Sequence, residues 1–449
     1  MNHTVPRPGS VLLLALSLVL VLIACRPAAS VPGEFDVVWE SWDLLKQSYI
    51  RGPELDAEVA VEGTATAMLE SLEKPLVPYL TRISDVRGQP PRTVPRELRD
   101  IWRLWRLLQG EDPQLDSSTL AEAAVQGLVG TLERREALYL SPEDYAHFRE
   151  QLAGTYEGIG AVVGVRAEDE AIIIQAIFPG GPSERVELQV GDRILEVNGG
   201  SVEGRFLEEV VEQVRGTSGS PLDLRIQRAG EAEPRDVRII RDRVLVPSVD
   251  VALLPGAIGY IFIVQFQETT HNEVQDALER LLRSDALAVI LDIRGNPGGS
   301  FAAARAVASQ FLTRGLVMSE EDVAGQRTDW PAGDVPLAPD LPLAVLVNGG
   351  AAGAAEMVAA SLQDRHRARI FGTATPGQGT VHTLQELGNG AAIYLATVFW
   401  RTPSGDSLDG IGLTPDVTVP LTEEDLLLNR DRQLEEAFRY LDSELPPFR

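Results

Sequence analysis

Cysteine, histidine and lysine often supply a nucleophile, a base or a metal ligand, and all three are scarce in this chain. The single cysteine is Cys25, which excludes disulfides and cysteine-rich metal sites. The five histidines (His3, His147, His271, His366 and His382) fall at no spacing that would hold a metal ion. Lysine occurs only at Lys46 and Lys74. From Pro75 onward the fixed cations are all arginine, which stays protonated and cannot act as a base, so the C-terminal two-thirds has no lysine base of its own. The stretch best built to present a nucleophile is 341–382. A buried strand (341–347) runs into a turn rich in Gly and Ala. A helix from near Ala354 to near Asp364 follows, then a short strand (369–372) and the glycine-flanked loop Gly377, Gln378, Gly379. Such a turn exposes its residue beside the first helical N–H groups, which stabilise negative charge. Here it holds neither hydroxyl nor thiol. The remaining candidate pair is Ser300, next to Gly299, with His382 as its base, and no third group that would orient the imidazole is identifiable. Ser361 lies on the helix and is expected to face away.

The elements that must position these residues fit a chain of several domains. It has 449 residues, 44% of them hydrophobic, enough for two or more cores. The formal net charge of −26 repels nucleic acid and anionic lipid headgroups and argues against both as partners. No metal or other cofactor is expected.

Residues 1–24 carry one positive charge, Arg7, and an apolar run, VLLLALSLVLVLIA, with the length of a secretory h-region. The run ends Leu22-Ile23-Ala24-Cys25, which resembles a bacterial lipobox. The expectation is a signal peptide over 1–24, lipid on Cys25, and a mature protein anchored outside the cytoplasmic membrane. Residues 25–154 read as helical. WESWDLL at Trp39 and WRLWRLL at Trp102 look like copies, each followed by a glycine, Gly63 and Gly127. The expected duplication covers 35–85 and 98–148 across a Pro/Arg-rich linker. Its tryptophans are expected in the core or at a dimer interface.

Residues 155–243 order a glycine loop, strands, a short helix, VGDRILEVNGG, a helix and two closing strands. This resembles a PDZ domain. The resemblance implies that Gly158, Ile159, Gly160 and Ala161 form a loop whose N–H groups cradle a peptide's terminal carboxylate while the peptide adds as a strand to the sheet edge.

Residues 244–420 alternate apolar strands with helices, and an acidic helix over 421–449 ends the chain. EGIGAVVG, LDIRGNPGG, the segment 345–364 and TPSGDSLDGIGLTPD together resemble the bacterial C-terminal processing, or tail-specific, serine peptidases. The resemblance implies a multi-domain α+β fold: a helical N-terminal region, a PDZ domain and a ClpP/crotonase-like α/β peptidase core. It also implies an active site, and there the chain departs from the pattern. The family's nucleophilic Ser falls on Gly353, its base Lys on Gln378 and its orienting Gln on His382. Gly offers no atom to attack a carbonyl, and Gln accepts no proton near neutral pH. Gly298, Gly299 and Ala354 are the expected oxyanion donors. Asp292, Arg294, Asn296, Glu356, Gln363 and Asp364 match the family at positions expected to be structural, with Asp292 and Arg294 as an ion pair. The expected function is a lipid-anchored pseudopeptidase that binds peptide C-termini, unstructured segments or a partner protein. That partner could be a second copy or an active paralogue. The alternative is an active envelope endopeptidase with a relocated nucleophile.

Overall fold

The computed structural model describes residues 33 and 35–445, except 134, 334 and 429. Cys25 and the apolar run before it lie outside the described residues.

Two strands, Ala288–Asp292 (AVILD) and Leu343–Val347 (LAVLV), are buried at every residue. Unbroken apolar runs of this kind belong to parallel strands covered on both faces. They sit at the centre of a six-stranded sheet ordered Val249–Leu254, Ile258–Ile263, Ala288–Asp292, Leu343–Val347, Arg369–Gly372, Val417–Thr418. Only the first pair is antiparallel. Alternate side chains point to opposite faces. Val289, Leu291 and Val345 meet the helices Thr270–Arg283, Phe301–Ser309 and Ala354–Asp364 through Leu278, Val307 and Val358. Ile290, Ala344 and Leu346 meet Ala437 and Leu441 of the helix Arg432–Glu444 on the other face.

The chain end differs from the single helix expected over 421–449. It breaks into Glu423–Leu427 and Arg432–Glu444. Asp431 makes the break, because its carboxylate caps the second helix at the Leu434 N–H (3.0 Å). The same carboxylate receives Arg294, which bridges Asp292 (2.6 Å) and Asp431 (2.7 Å). This is the ion pair expected from sequence, extended to a third member. Burial works against the Arg294 charge, yet the two carboxylates hold its pKa above the ordinary arginine value. Asp292 is 1% exposed. Arg294→Met should therefore cost about 3 kcal/mol in urea unfolding, because it strands a buried carboxylate. Arg294 also outweighs the burial of Asp431 and holds that carboxyl below its usual range. The Asp431 share of the clamp is thus complete above about pH 4 and fades as pH falls through its lowered pKa.

A second, antiparallel sheet was not foreseen. Ala392–Arg401 pairs with Thr380–Glu386, with Leu316–Asp322, and with Ala137–Leu140 from the N-terminal region. Residues 25–154 are therefore not purely helical. Ile393 and Leu395 complete the core of the helical region, so that region is built onto the peptidase core rather than tethered to it. Its helices are Asp36–Ser48, Ala57–Glu70, Arg99–Glu111, Ser117–Val129 and Pro142–Leu152 among shorter turns. Asp56 and Asp116 cap the Ala57–Glu70 and Ser117–Val129 helices. These two helices cross at their glycines, where a Cβ on Gly127 would lie 2.6 Å from the Gly63 carbonyl oxygen. Trp39, Trp42 and Trp102 are buried in this core, and Trp105 stacks on Phe35 at 4.9 Å.

The PDZ unit is a sheet ordered Ala161–Val165, Ile172–Ile177, Arg193–Val197, Pro221–Gln227, Arg235–Ile240, with Gly200–Ser201 beside the third strand. The helix Leu207–Val214 covers it through Val210 and Val214. The chain enters along Thr155–Gly158 and leaves along Asp242–Leu245, and the two strands pair.

Candidate functional site

The strand Leu343–Val347 ends in a turn held by Asn348, which the sequence reading did not single out, and by Asn296, which it placed as structural. Asn348 Oδ1 receives the Gly350 N–H (3.0 Å) and the Gly295 N–H (2.8 Å). Asn296, fully buried, bonds in three directions. Its amide donates to the Ile263 carbonyl (3.0 Å), its Oδ1 accepts from the Gly298 N–H (2.9 Å), and its backbone carbonyl accepts from the Ala352 N–H (2.9 Å). The LDIRGNPGG loop and the Gly/Ala turn are thereby fixed side by side.

Gly353 ends the turn at φ +53°, ψ −110° and precedes the helix Ala354–Asp364. A side chain in that left-handed region is strained, as nucleophiles on strand-to-helix turns are. A Cβ built on Gly353 would lie 3.5 Å from Gln378 Oε1. The two positions that the family resemblance paired do face each other. Glu356 secures this arrangement. It is fully buried, and its Oε2 accepts from the Gly353 N–H (3.0 Å) and the Gln378 N–H (2.8 Å). Its Oε1 accepts from the Gly377 N–H (2.8 Å) and from the Thr375 hydroxyl. One carboxylate thus ties the turn to the loop opposite. Trp400, fully buried, holds that loop from the far side, with Nε1 donating to the Gln378 carbonyl (2.9 Å). Gln363 and Asp364, at the helix end, bind the Thr414 carbonyl (3.1 Å) and the Ser404 N–H (2.9 Å), so they fasten the TPSGDSLDGIGLTPD loop. Thr375 and Trp400 were not singled out from sequence. Their only signal was proximity to Gln378 along the chain or in the facing strand.

The expected oxyanion donors divide. The Ala354 and Gly299 N–H groups donate to no other group among the described residues. The Gly298 N–H is already spent on Asn296, so Gly298 is corrected from donor to wall, lying beside the Ala354 nitrogen. His382 also departs from expectation. The register of its strand shifts there, skipping Thr397 of the facing strand, and its ring lies against the N-terminal region. There Nε2 meets the Arg135 carbonyl (2.9 Å), and the ring stacks on Tyr394 at 4.9 Å. Burial lowers its pKa below the ordinary histidine value. Ser300 caps the helix Phe301–Ser309, its Oγ accepting from the Ala303 N–H (3.2 Å). No hydrogen bond joins Ser300 to His382, and Ser361 is buried with its hydroxyl on the Val358 carbonyl (2.9 Å). The centre can receive a carbonyl oxygen, and it presents neither a nucleophile nor a proton acceptor at the turn.

A second concave site lies in the PDZ unit. Gly158, Ile159 and Ala161 line a cavity of about 260 Å³ with Phe178, Val211 and Val214. Gly160 turns the loop, and its carbonyl accepts from the Phe178 N–H.

Comparison with known proteins identifies both units. Residues 257–419 match the model of peptidase family S41, and 150–227 match the PDZ domain. The chain is 36% identical over 320 residues to the carboxy-terminal-processing protease of Bartonella bacilliformis, covering 69% of this chain and 72% of that protein. It is 32% identical over 331 residues to a CtpA-like serine protease of Staphylococcus aureus, covering 73% and 66%. Among solved structures it resembles the photosystem II D1 C-terminal processing protease (25% identity, TM-score 0.46, 86% and 93% covered). It also resembles the peptide-bound PDZ domain of a carboxy-terminal protease from Vibrio cholerae (33% identity, TM-score 0.19, 20% and 99% covered). A PDZ unit followed by an S41 core, in a chain this close to a full-length relative, makes it a member of the carboxy-terminal-processing protease family.

Proposed function

We propose that this chain is a pseudopeptidase of its family, one that binds the C-terminal tails of peptides or unstructured protein segments without cleaving them. The observation that carries the reading is the pair Gly353 and Gln378. They face each other, with a Cβ on Gly353 reaching 3.5 Å from Gln378 Oε1, and between them they supply no attacking atom and no base. The scaffold around them is retained through Glu356 and Asn296, and two backbone donors stay free, so the cleft keeps the means to hold a carbonyl and lacks the means to cut it. The PDZ cavity supplies the tail site.

We propose further that lipid on Cys25 anchors the protein outside the cytoplasmic membrane. The lipobox-like sequence around the only cysteine supports this. Palmitate labelling in a bacterial host should mark the natural chain and not Cys25→Ala. Fluorescence anisotropy tests the binding reading with the chain from Arg26 onward. A labelled peptide with a free carboxylate should bind about tenfold more tightly than its C-terminal amide. Equal affinity for the two would remove the PDZ loop from the account.

A further inference from the structure

The PDZ groove runs between the strand Ala161–Val165 and the helix Leu207–Val214. That strand is an edge of its sheet, so its outward N–H and C=O groups are open to an added strand. One of them is already taken. The Ala161 N–H donates to Tyr156 Oη at 3.1 Å. Tyr156 stands two residues before Gly158 on the same strand and the same face, and its ring folds back over that glycine. A Cβ on residue 158 would sit 2.6 Å from the ring edge, so only glycine admits this pose. Phe178 meets the ring edge-on at 6.2 Å, and the Arg215 guanidinium lies 5.9 Å from its centroid. Tyr156 and Arg215 both line the cavity, and Arg215 pairs with no carboxylate among the described residues. Burial raises the Tyr156 pKa, opposed by the Ala161 and Gly160 N–H groups and by Arg215, so the phenol is neutral at physiological pH.

We propose that Tyr156 is an internal stand-in for the ligand's carboxylate. Its hydroxyl closes the Gly158-to-Ala161 loop in the free protein, and an incoming free C-terminus displaces it, taking the Ala161 N–H and the charge of Arg215. The proposal rests on the tail-binding reading above and sets a threshold that a ligand must exceed to occupy the loop. A carboxylate is a stronger acceptor than a phenol and gains the guanidinium as well. An internal segment or a C-terminal amide brings no charge to that exchange, so the hydroxyl keeps its place against them. The wall of Ile159, Phe178, Val211 and Val214 suits an apolar last residue.

The test uses the chain from Arg26 onward, as wild type, Tyr156→Phe and Arg215→Gln. The probe is a fluorescein-labelled octapeptide ending Ala-Val-Val, prepared as free acid and as amide. Tyr156→Phe keeps the ring and removes the competitor. It should tighten the acid and the amide by the same factor, about fivefold, because the competitor masks the loop equally from both. Arg215→Gln should weaken the acid about tenfold and leave the amide unchanged. Without any peptide, hydrogen exchange at the Ala161 amide should be about fivefold faster in Tyr156→Phe. Unchanged exchange, or acid binding that Tyr156→Phe leaves equal or weakens, overturns the stand-in role. If no version binds either peptide, the tail-binding reading fails and takes the stand-in role with it, while the exchange rate still reports whether the contact exists.

Discussion

Gly353→Ser combined with Gln378→Lys should confer hydrolysis of an unfolded protein that the natural chain, on the reading proposed above, leaves intact. The backbone needed for the reaction is in place. Gly353 holds the left-handed turn at a helix start, and a side chain there would point at residue 378 from 3.5 Å. Glu356 fixes both backbones, and the Ala354 and Gly299 N–H groups are open to a developing oxyanion. Removing a serine nucleophile costs about 10⁶-fold in a well-studied protease, so even a poorly tuned restoration should exceed background by about 10³-fold. Each single change should stay at background, since a nucleophile without its base, or the reverse, completes no acyl transfer. The gain carries a stability loss. Serine at φ +53° costs about 1–2 kcal/mol relative to glycine, and urea unfolding should show that loss in Gly353→Ser. Full stability together with no activity in the double variant would show that residues 353 and 378 are not held as described.

Glu356→Gln should be among the most damaging single changes near the site. The carboxylate accepts four hydrogen bonds, two at each oxygen, and is fully buried. An amide keeps one oxygen and turns its NH₂ either toward the Gly353 and Gln378 N–H groups, neither of which can accept, or toward the Gly377 N–H, which cannot accept, and the Thr375 hydroxyl, which can. One or two bonds to a charged group are lost at about 1.5–3 kcal/mol each, so the expected loss is about 2–6 kcal/mol. The damage should reach both sides of the cleft at once, because the Gly353 and Gln378 N–H groups share one oxygen. Restored hydrolysis in the double variant should disappear when Glu356→Gln is added. A loss below about 1 kcal/mol would contradict the linking role given to Glu356.

Those elements of the site whose signal is local were legible in the sequence. The helix Ala354–Asp364 follows from a buried apolar strand, a Gly/Ala turn and an unbroken run of helix formers. The facing of Gly353 and Gln378 followed from the family resemblance, which places the nucleophile and base positions on them. What was missed depended on contacts the sequence does not encode locally. The strand Ala392–Arg401 pairs with three partners, one of them more than 250 residues earlier, and nothing in its own run of residues points to Ala137–Leu140. His382 was set beside the base position by counting, but its ring is engaged by the Arg135 carbonyl and Tyr394, contacts that come from distant parts of the chain or the facing strand. The Gly298 N–H looked available because the Asn296 side chain that takes it up acts two residues away through space. Tyr156 carried a usable signal, since it precedes Gly158 by one strand repeat and so shares its face.

The central claim is that the natural chain binds and does not cut, and mass spectrometry of an unfolded protein incubated with the wild-type chain from Arg26 onward tests it most directly. The account predicts no new peptide termini from the wild type and clear ones from the Gly353→Ser/Gln378→Lys form under the same conditions. New termini from the wild type that scale with its concentration and vanish in Ser300→Ala would contradict it, and would identify Ser300 as a nucleophile outside the Gly353 turn.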